Sequence, residues 1–116
     1  MNRIWRATIN SWKGIVAAAQ SDLAIRQELV LLVVAVPLSM FLTDDFARRL
    51  ALIGSLIFVM IVELLNTAIE KLCDHVTSEQ HRAIGRIKDM GSAAVGLSLL
   101  LAGAVWLWIV IERFWP

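Results

Sequence analysis

Three stretches of this chain are apolar over lengths that suit a lipid bilayer, and the polar residues that interrupt them keep helical spacing. Residues 29–42 form the first apolar run. A hydrocarbon core of about 30 Å needs roughly 20 helical residues, so the span is expected to reach back through Leu23, Ala24 and Ile25. That puts Arg26, Gln27 and Glu28 inside it or at its end and sets the first span at 23–43. Pro37 is expected to kink it. The Thr43-Asp44-Asp45-Phe46 stretch reads as a short loop in which Thr43 or Asp44 caps the next helix. A second helix is expected over 47–72, spanning at 48–70. Its 50–65 portion is apolar apart from Gly54, Ser55 and Glu63. Residues 71–89 read as a polar segment, with a loop and a partial helix from 77 onward. Residues 90–111 carry no charge over 22 positions and define a third span at 90–112.

The N-terminal segment has a different pattern. Over 2–20, Ile4, Trp5, Thr8, Ile9, Trp12, Ile15, Val16 and Ala19 share one helical face, while Arg3, Arg6, Asn10 and Lys13 fall on another. Basic residues opposite a Trp/Ile face mark a helix lying in the membrane interface, assigned here to 1–21. The expected fold class is therefore an all-α membrane protein with an interfacial helix and three transmembrane helices. No compact apolar core with a small-residue cleavage site occurs in the first 28 residues, so the N-terminus is expected to be retained.

Composition agrees with this pattern. Hydrophobic residues make up 59% of 116, and mean hydropathy is +0.71. That leaves too little polar surface for a water-soluble domain. A net charge of +1 carries no signature of nucleic-acid binding. The single Cys73 excludes an internal disulfide and any CxxC metal site. The distribution of charge is more informative. Arg3, Arg6, Lys13 and Arg26 precede the first span, and Lys71, Arg82, Arg86 and Lys88 separate the second from the third. Arg48 and Arg49 lie beside Asp44 and Asp45 on the other side, where they are expected to anchor the helix, and Arg113 follows the third span. The positive-inside rule then places the N-terminus and 71–89 in the cytoplasm and the C-terminus outside.

Against that background four polar residues stand out: Glu63, Asn66, Glu70 and Asp74. At 100° per residue their offsets confine them to a stripe roughly 80° wide, shared by Thr67. Acids near hydrocarbon are costly and usually functional. Glu63 is the deepest and is the candidate general base. Glu70, two turns nearer the cytoplasm, suits a hard cation such as Mg²⁺, which takes one or two carboxylates plus phosphate oxygens. Asp22 and Glu28 can complete such a site, and Lys88 can neutralise phosphate charge. Neither GxxxxGK[ST] nor GxGxxG occurs, so a nucleotide site here is of another kind. On the residues alone, three readings stand: phosphoryl transfer to a lipid hydroxyl, a structural ion-pair network, and a proton-coupled or cation transporter. The uncharged outer half of the second span, 50–62, speaks against a charge path across the bilayer. In the third span Ser92, Gly96 and Gly103 share a face about 40° wide, where small residues allow close helix approach and self-association.

The string Glu63-Leu64-Leu65-Asn66-Thr67-Ala68-Ile69-Glu70, followed by Asp74, resembles the signature of the prokaryotic diacylglycerol kinase family. The string Gly85-Arg86-Ile87-Lys88-Asp89-Met90-Gly91-Ser92-Ala93-Ala94-Val95 resembles its second signature, and Ser11-Trp12-Lys13-Gly14 and Arg26-Gln27-Glu28 are similar to its N-terminal region. The likeness covers essentially the whole chain. It implies an inner-membrane homotrimer that transfers the γ-phosphate of ATP to diacylglycerol, giving phosphatidic acid, with Mg²⁺ as cofactor and membrane lipids around it. It implies Glu63 as general base and Asp22 with Glu70 as metal ligands. Arg3, Asn10, Asp22, Glu70, Glu79, His81, Lys88 and Asp89 correspond to ATP-contacting positions. Arg3, Ser11, Trp12, Gln27, Glu63, Asn66 and Ser92 correspond to positions lining the lipid or catalytic site.

Two positions depart from the family pattern. Asp22 stands where the best-known relatives carry a Glu and is one methylene shorter. Asn10 stands where an aromatic is familiar and offers no stacking face. The family also contains undecaprenol kinases, which share both signatures but typically carry an ERN-like element where this chain has Arg26-Gln27-Glu28. The RQE form, with the Trp-containing SWKG, favours diacylglycerol.

Overall fold

A computed structural model describes residues 2–77 and 81–116. These form four helices: α1 (Asn2–Ser21), α2 (Leu23–Leu42), α3 (Phe46–Val76) and α4 (Arg82–Phe114). The last three are long and apolar enough to cross a membrane, and the all-helical architecture fits a membrane protein. At 1.5 Å per residue, α3 and α4 are about 46 Å and 50 Å long, well beyond a hydrocarbon core of about 30 Å. α3 continues six residues past position 70, and α4 begins eight residues before position 90. Much of the polar 71–89 segment is therefore helical.

The connections are short, and each is held by side chains. A single residue, Asp22, separates α1 from α2. Its backbone is extended (φ −133°, ψ 116°), and its carboxylate accepts from Ala24 N at 2.9 Å, capping α2. Arg26 reaches back to α1, donating to Ala19 O at 2.7 Å and Gln20 O at 3.3 Å, so carbonyls left open at the helix end are satisfied. At the opposite end the cap of α3 is Asp45, neither Thr43 nor Asp44. Asp45 Oδ2 accepts from Arg48 N at 3.0 Å. Thr43 instead accepts from Asp45 N through its hydroxyl, and Asp44 pairs with Arg49 at 3.5 Å. The helix starts at Phe46, one residue before the expected 47, and the residue directly ahead of it, Asp45, is the one placed to cap it. Pro37 lies within α2, which continues on both sides of it.

α3 is the central element, packing along α4 on one side and α2 on the other, while α1 meets α2 and α3 near its C-terminus. Two small apolar clusters hold the ends. Ala18, Ile25 and Met60 join α1, α2 and α3, and Leu42, Leu52 and Ile109 join α2, α3 and α4. Near the second cluster Trp106 donates its indole N–H to Leu52 O at 3.1 Å. Arg48 grips Glu112 with two bonds of 3.2 and 3.0 Å and lies 5.5 Å from the Trp108 ring centre. At the other end α3 and α4 touch where Gly91 meets Asn66. A Cβ on Gly91 would collide with the Asn66 side chain, so glycine lets the amide lie here in the orientation that reaches Glu70. The whole measures 54 × 41 × 21 Å, too thin to enclose much interior.

Candidate functional site

The stripe on α3 is turned into the bundle. Glu63, Asn66 and Thr67 are buried, whereas Leu65, Ile69 and Leu72 on the same helix are exposed. This is the reverse of a water-soluble helix, and it is what a lipid-facing surface with a polar interior requires. Burial falls off along the stripe toward the end of α3: Glu70 is half-buried and Asp74 exposed.

Four carboxylates gather around it. Glu28, from α2, is near enough to Glu63 and Asp22 for their charges to interact, and Glu63 feels both Asp22 and Glu70. Hydrogen bonds organise part of the group. Asn66 Nδ2 donates to Glu70 Oε1 at 3.2 Å. Thr67 donates its hydroxyl to Asp22 Oδ2 at 2.7 Å, across from α3 to the α1–α2 corner. Among the described residues two buried acceptors have no donor: Glu28 Oε2 and Asn66 Oδ1. Such orphaned oxygens are costly unless a cation, a water or a substrate hydroxyl meets them.

That donor set suits a hard divalent ion. It consists of carboxylate and amide oxygens, two of them without a partner, and Mg²⁺ prefers oxygen ligands. Among the described residues no three His, Cys, Asp or Glu side chains converge into a metal-holding group. The arrangement therefore fits an ion completed by phosphate oxygens and water better than a cage made by the protein.

The remaining candidates are spread around this centre. Lys88 on α4 pairs with Asp74 at 2.8 Å, which places its ammonium at the outer end of the stripe. Asp89 and Ser92 follow it on α4, both exposed. His81 is the N-cap residue of α4. Glu79 lies outside the described residues. Gln27 is exposed on α2, beside a groove it lines with Arg26, Val30 and Leu31. On α1, Ser11 lines a groove of about 440 Å³ facing Leu64, Thr67 and Lys71 of α3. Trp12 and Asn10 are exposed. Arg3 is exposed at the start of the helix, roughly 22 Å along it from the buried Ala18. One chain thus brings Asp22, Glu63, Asn66 and Glu70 together, sets Lys88 close by, and leaves Arg3 and Asn10 at a distance along α1. The buried orphan on Glu28 and the donor role of Thr67 are further features of the centre. The chain pattern offers Glu28 to complete the cation site and puts Thr67 on the stripe, but it gives Thr67 no role.

Known proteins resemble this chain over most of its length. Residues 9–110 match the family described as prokaryotic diacylglycerol kinase. The chain is 44% identical over 112 residues to a diacylglycerol kinase of Escherichia coli (strain K12), covering 97% of this chain and 92% of the relative. It is 37% identical over 111 residues to a diacylglycerol kinase of Pseudomonas aeruginosa, covering 96% and 90%. It is 35% identical over 106 residues to one of Haemophilus influenzae, covering 91% and 90%. With likeness running nearly end to end and including the stripe on α3 and the Lys88–Ser92 stretch of α4, the chain belongs to the prokaryotic diacylglycerol kinase family.

Proposed function

We propose that this protein phosphorylates diacylglycerol with ATP, producing phosphatidic acid at the cytoplasmic face of the inner membrane. The observation that carries the reading is the buried stripe of Glu63, Asn66 and Thr67 on a membrane-length helix, continued toward the helix end by Glu70. A carboxylate buried within the apolar span can meet a lipid hydroxyl, and acids nearer the interface can meet a nucleotide. The names of the relatives support the substrate.

In this scheme Glu63 takes the proton of the diacylglycerol hydroxyl. The hydroxyl oxygen forms a bond to the γ-phosphorus, and the bond from that phosphorus to the bridging oxygen breaks, releasing ADP. Lys88 offsets the triphosphate charge, and its hydrogen bond to Asp74 keeps it oriented before nucleotide arrives. Asp89, His81, Glu79, Asn10 and Arg3 contact ATP. Ser11, Trp12, Gln27, Asn66 and Ser92, with Arg3, line the lipid side. Glu70 and Asp22 would hold Mg²⁺, which when bound neutralises charge developing on the phosphates. Catalysis in this scheme rests on positioning and electrostatics.

The basic residues of α1, with Lys71 near the end of α3 and Arg82, Arg86 and Lys88 at the start of α4, support a reading in which this end of the bundle faces the nucleotide side. On α1 the exposed Ile4, Trp5 and Trp12 enter the lipid interface, with Arg3, Arg6 and Lys13 on the headgroup side. The protein works as a homotrimer. The support for assembly is the face of α4 carrying Ser92, Gly96 and Gly103, which one chain leaves exposed while burying Gly91, Ser98 and Ala102.

The deciding assay uses purified protein in mixed micelles with γ-labelled ATP and Mg²⁺, offering diacylglycerol beside undecaprenol. Labelled phosphatidic acid as the main product is expected. Preferential labelling of undecaprenol would reassign the substrate, and no labelled lipid at all would remove the kinase reading.

A further inference from the structure

Asp22 occupies an unusual place: it is the only residue between α1 and α2, yet its carboxylate reaches into the acid cluster. Both of its oxygens are engaged. Oδ1 accepts from Ala24 N at 2.9 Å, and Oδ2 accepts from the Thr67 hydroxyl at 2.7 Å. A carboxylate has about four acceptor positions, so two remain available for a ligand. The capping bond alone would leave the carboxyl plane free to turn about Cβ–Cγ. The bond from Thr67, a side chain only 6% exposed on the central helix, removes that freedom.

Resting on the kinase reading above, we propose that Thr67 is a positioning residue that fixes the Asp22 carboxylate for a hard divalent cation shared with Glu70. The reason lies in the length of the side chain. An aspartate cannot extend or fold back as a glutamate can, so its oxygens go where the α1–α2 corner and the Thr67 bond put them. Asp22 is held near enough to Glu63 and Glu28 for their charges to interact. Partners that orient a ligating carboxylate are typically worth ten- to hundredfold in metal affinity. Asn66 plays the matching part for Glu70 through its 3.2 Å bond. Two neighbouring positions of α3 thus orient one acid each, one across helices and one along the same helix.

The rival account is that Thr67 only pins the α1–α2 corner to α3. It predicts a loss of stability without a change in cation affinity. The test measures Mn²⁺ binding by electron paramagnetic resonance, on the full chain in detergent micelles with a non-hydrolysable ATP analogue, together with thermal unfolding. The variants are T67V, T67S and D22N. The proposal expects T67V to weaken Mn²⁺ binding about tenfold or more, T67S to restore most of it, and the T67V/D22N double variant to be no weaker than D22N alone. Wild-type Mn²⁺ affinity in a T67V protein, with D22N impaired, would overturn the positioning role. Wild-type affinity in D22N would overturn the role of Asp22 as a ligand, and the proposal with it. Should T67V not fold, T67C, which keeps similar volume and weakens the donor, is read the same way. Failure of the wild type to label any lipid sinks the kinase reading and is a separate result from these affinities.

Discussion

At the scale of single residues, the site depends on a contact that no spacing rule reveals. The offsets of Glu63, Asn66, Glu70 and Asp74 place them on one face, and the structure buries the first two and leaves the last exposed. What faces them comes from elsewhere in the chain. Gly91 lies 25 positions after Asn66 and looks like one small residue among several in an apolar run. In three dimensions a Cβ there would strike Asn66 Oδ1 and stand 3.2 Å from its Cγ. Because the obstructing atom ends a rotatable amide, G91A is expected to be accommodated by turning Asn66 at a cost of about 1 kcal/mol. That rotation breaks the bond from Asn66 to Glu70. The expected outcome is a thermal midpoint lowered by a few degrees and a loss of turnover larger than that shift explains, measured by differential scanning and by the micelle assay on the same preparation. The pairing of Thr67 with Asp22, 45 positions earlier, was hidden for the same reason. Helical periodicity reports which face a residue is on, and only packing reports what meets it.

At the scale of elements, hydropathy located the apolar cores of the helices but not their ends. Residues 82–89 contain three charged or basic side chains within four positions at Arg86, Lys88 and Asp89, which reads as a surface segment. They nonetheless form the first turns of α4, because a helix need not end where the bilayer does. Ile84 is half-buried, and Lys88 bridges to Asp74 of α3, so the extension is held by contacts with its neighbour. The same holds for the corner at Asp22. Its identity as a cap residue is typical, but the Arg26 bonds that close the end of α1 depend on α2 turning back beneath it. Replacing Arg26 with alanine is expected to speed amide exchange over 17–24 while leaving the centres of α3 and α4 protected. Hydrogen exchange resolved by peptide checks this, and uniform exchange along the chain would show that the bonds are not what holds the corner.

At the scale of the whole molecule, the two ends of the bundle do different work. One end carries the acids, with only a small apolar cluster of Ala18, Ile25 and Met60 beneath them. The other carries Leu42, Leu52 and Ile109 and the Arg48–Glu112 clasp, together with a groove of about 540 Å³ that includes none of the candidate site residues. E112Q should therefore lower the thermal midpoint while leaving the rate of lipid phosphorylation per folded protein unchanged. A fall in rate without a fall in stability would mean the two ends are coupled. The thinness of the bundle leaves most of its apolar surface exposed in one chain, and a helix pattern alone cannot say how lipid and neighbouring copies divide that surface. If Glu63 is the base that takes the proton of a lipid hydroxyl, E63Q must lose turnover while keeping its fold. The measurement is transfer of labelled phosphate from ATP to diacylglycerol in mixed micelles, with thermal stability and assembly recorded alongside. Removal of a general base costs about a hundredfold or more, so E63Q is expected to assemble and melt like wild type while losing at least that much turnover. Phosphatidic acid formed by E63Q at the wild-type rate would contradict the account.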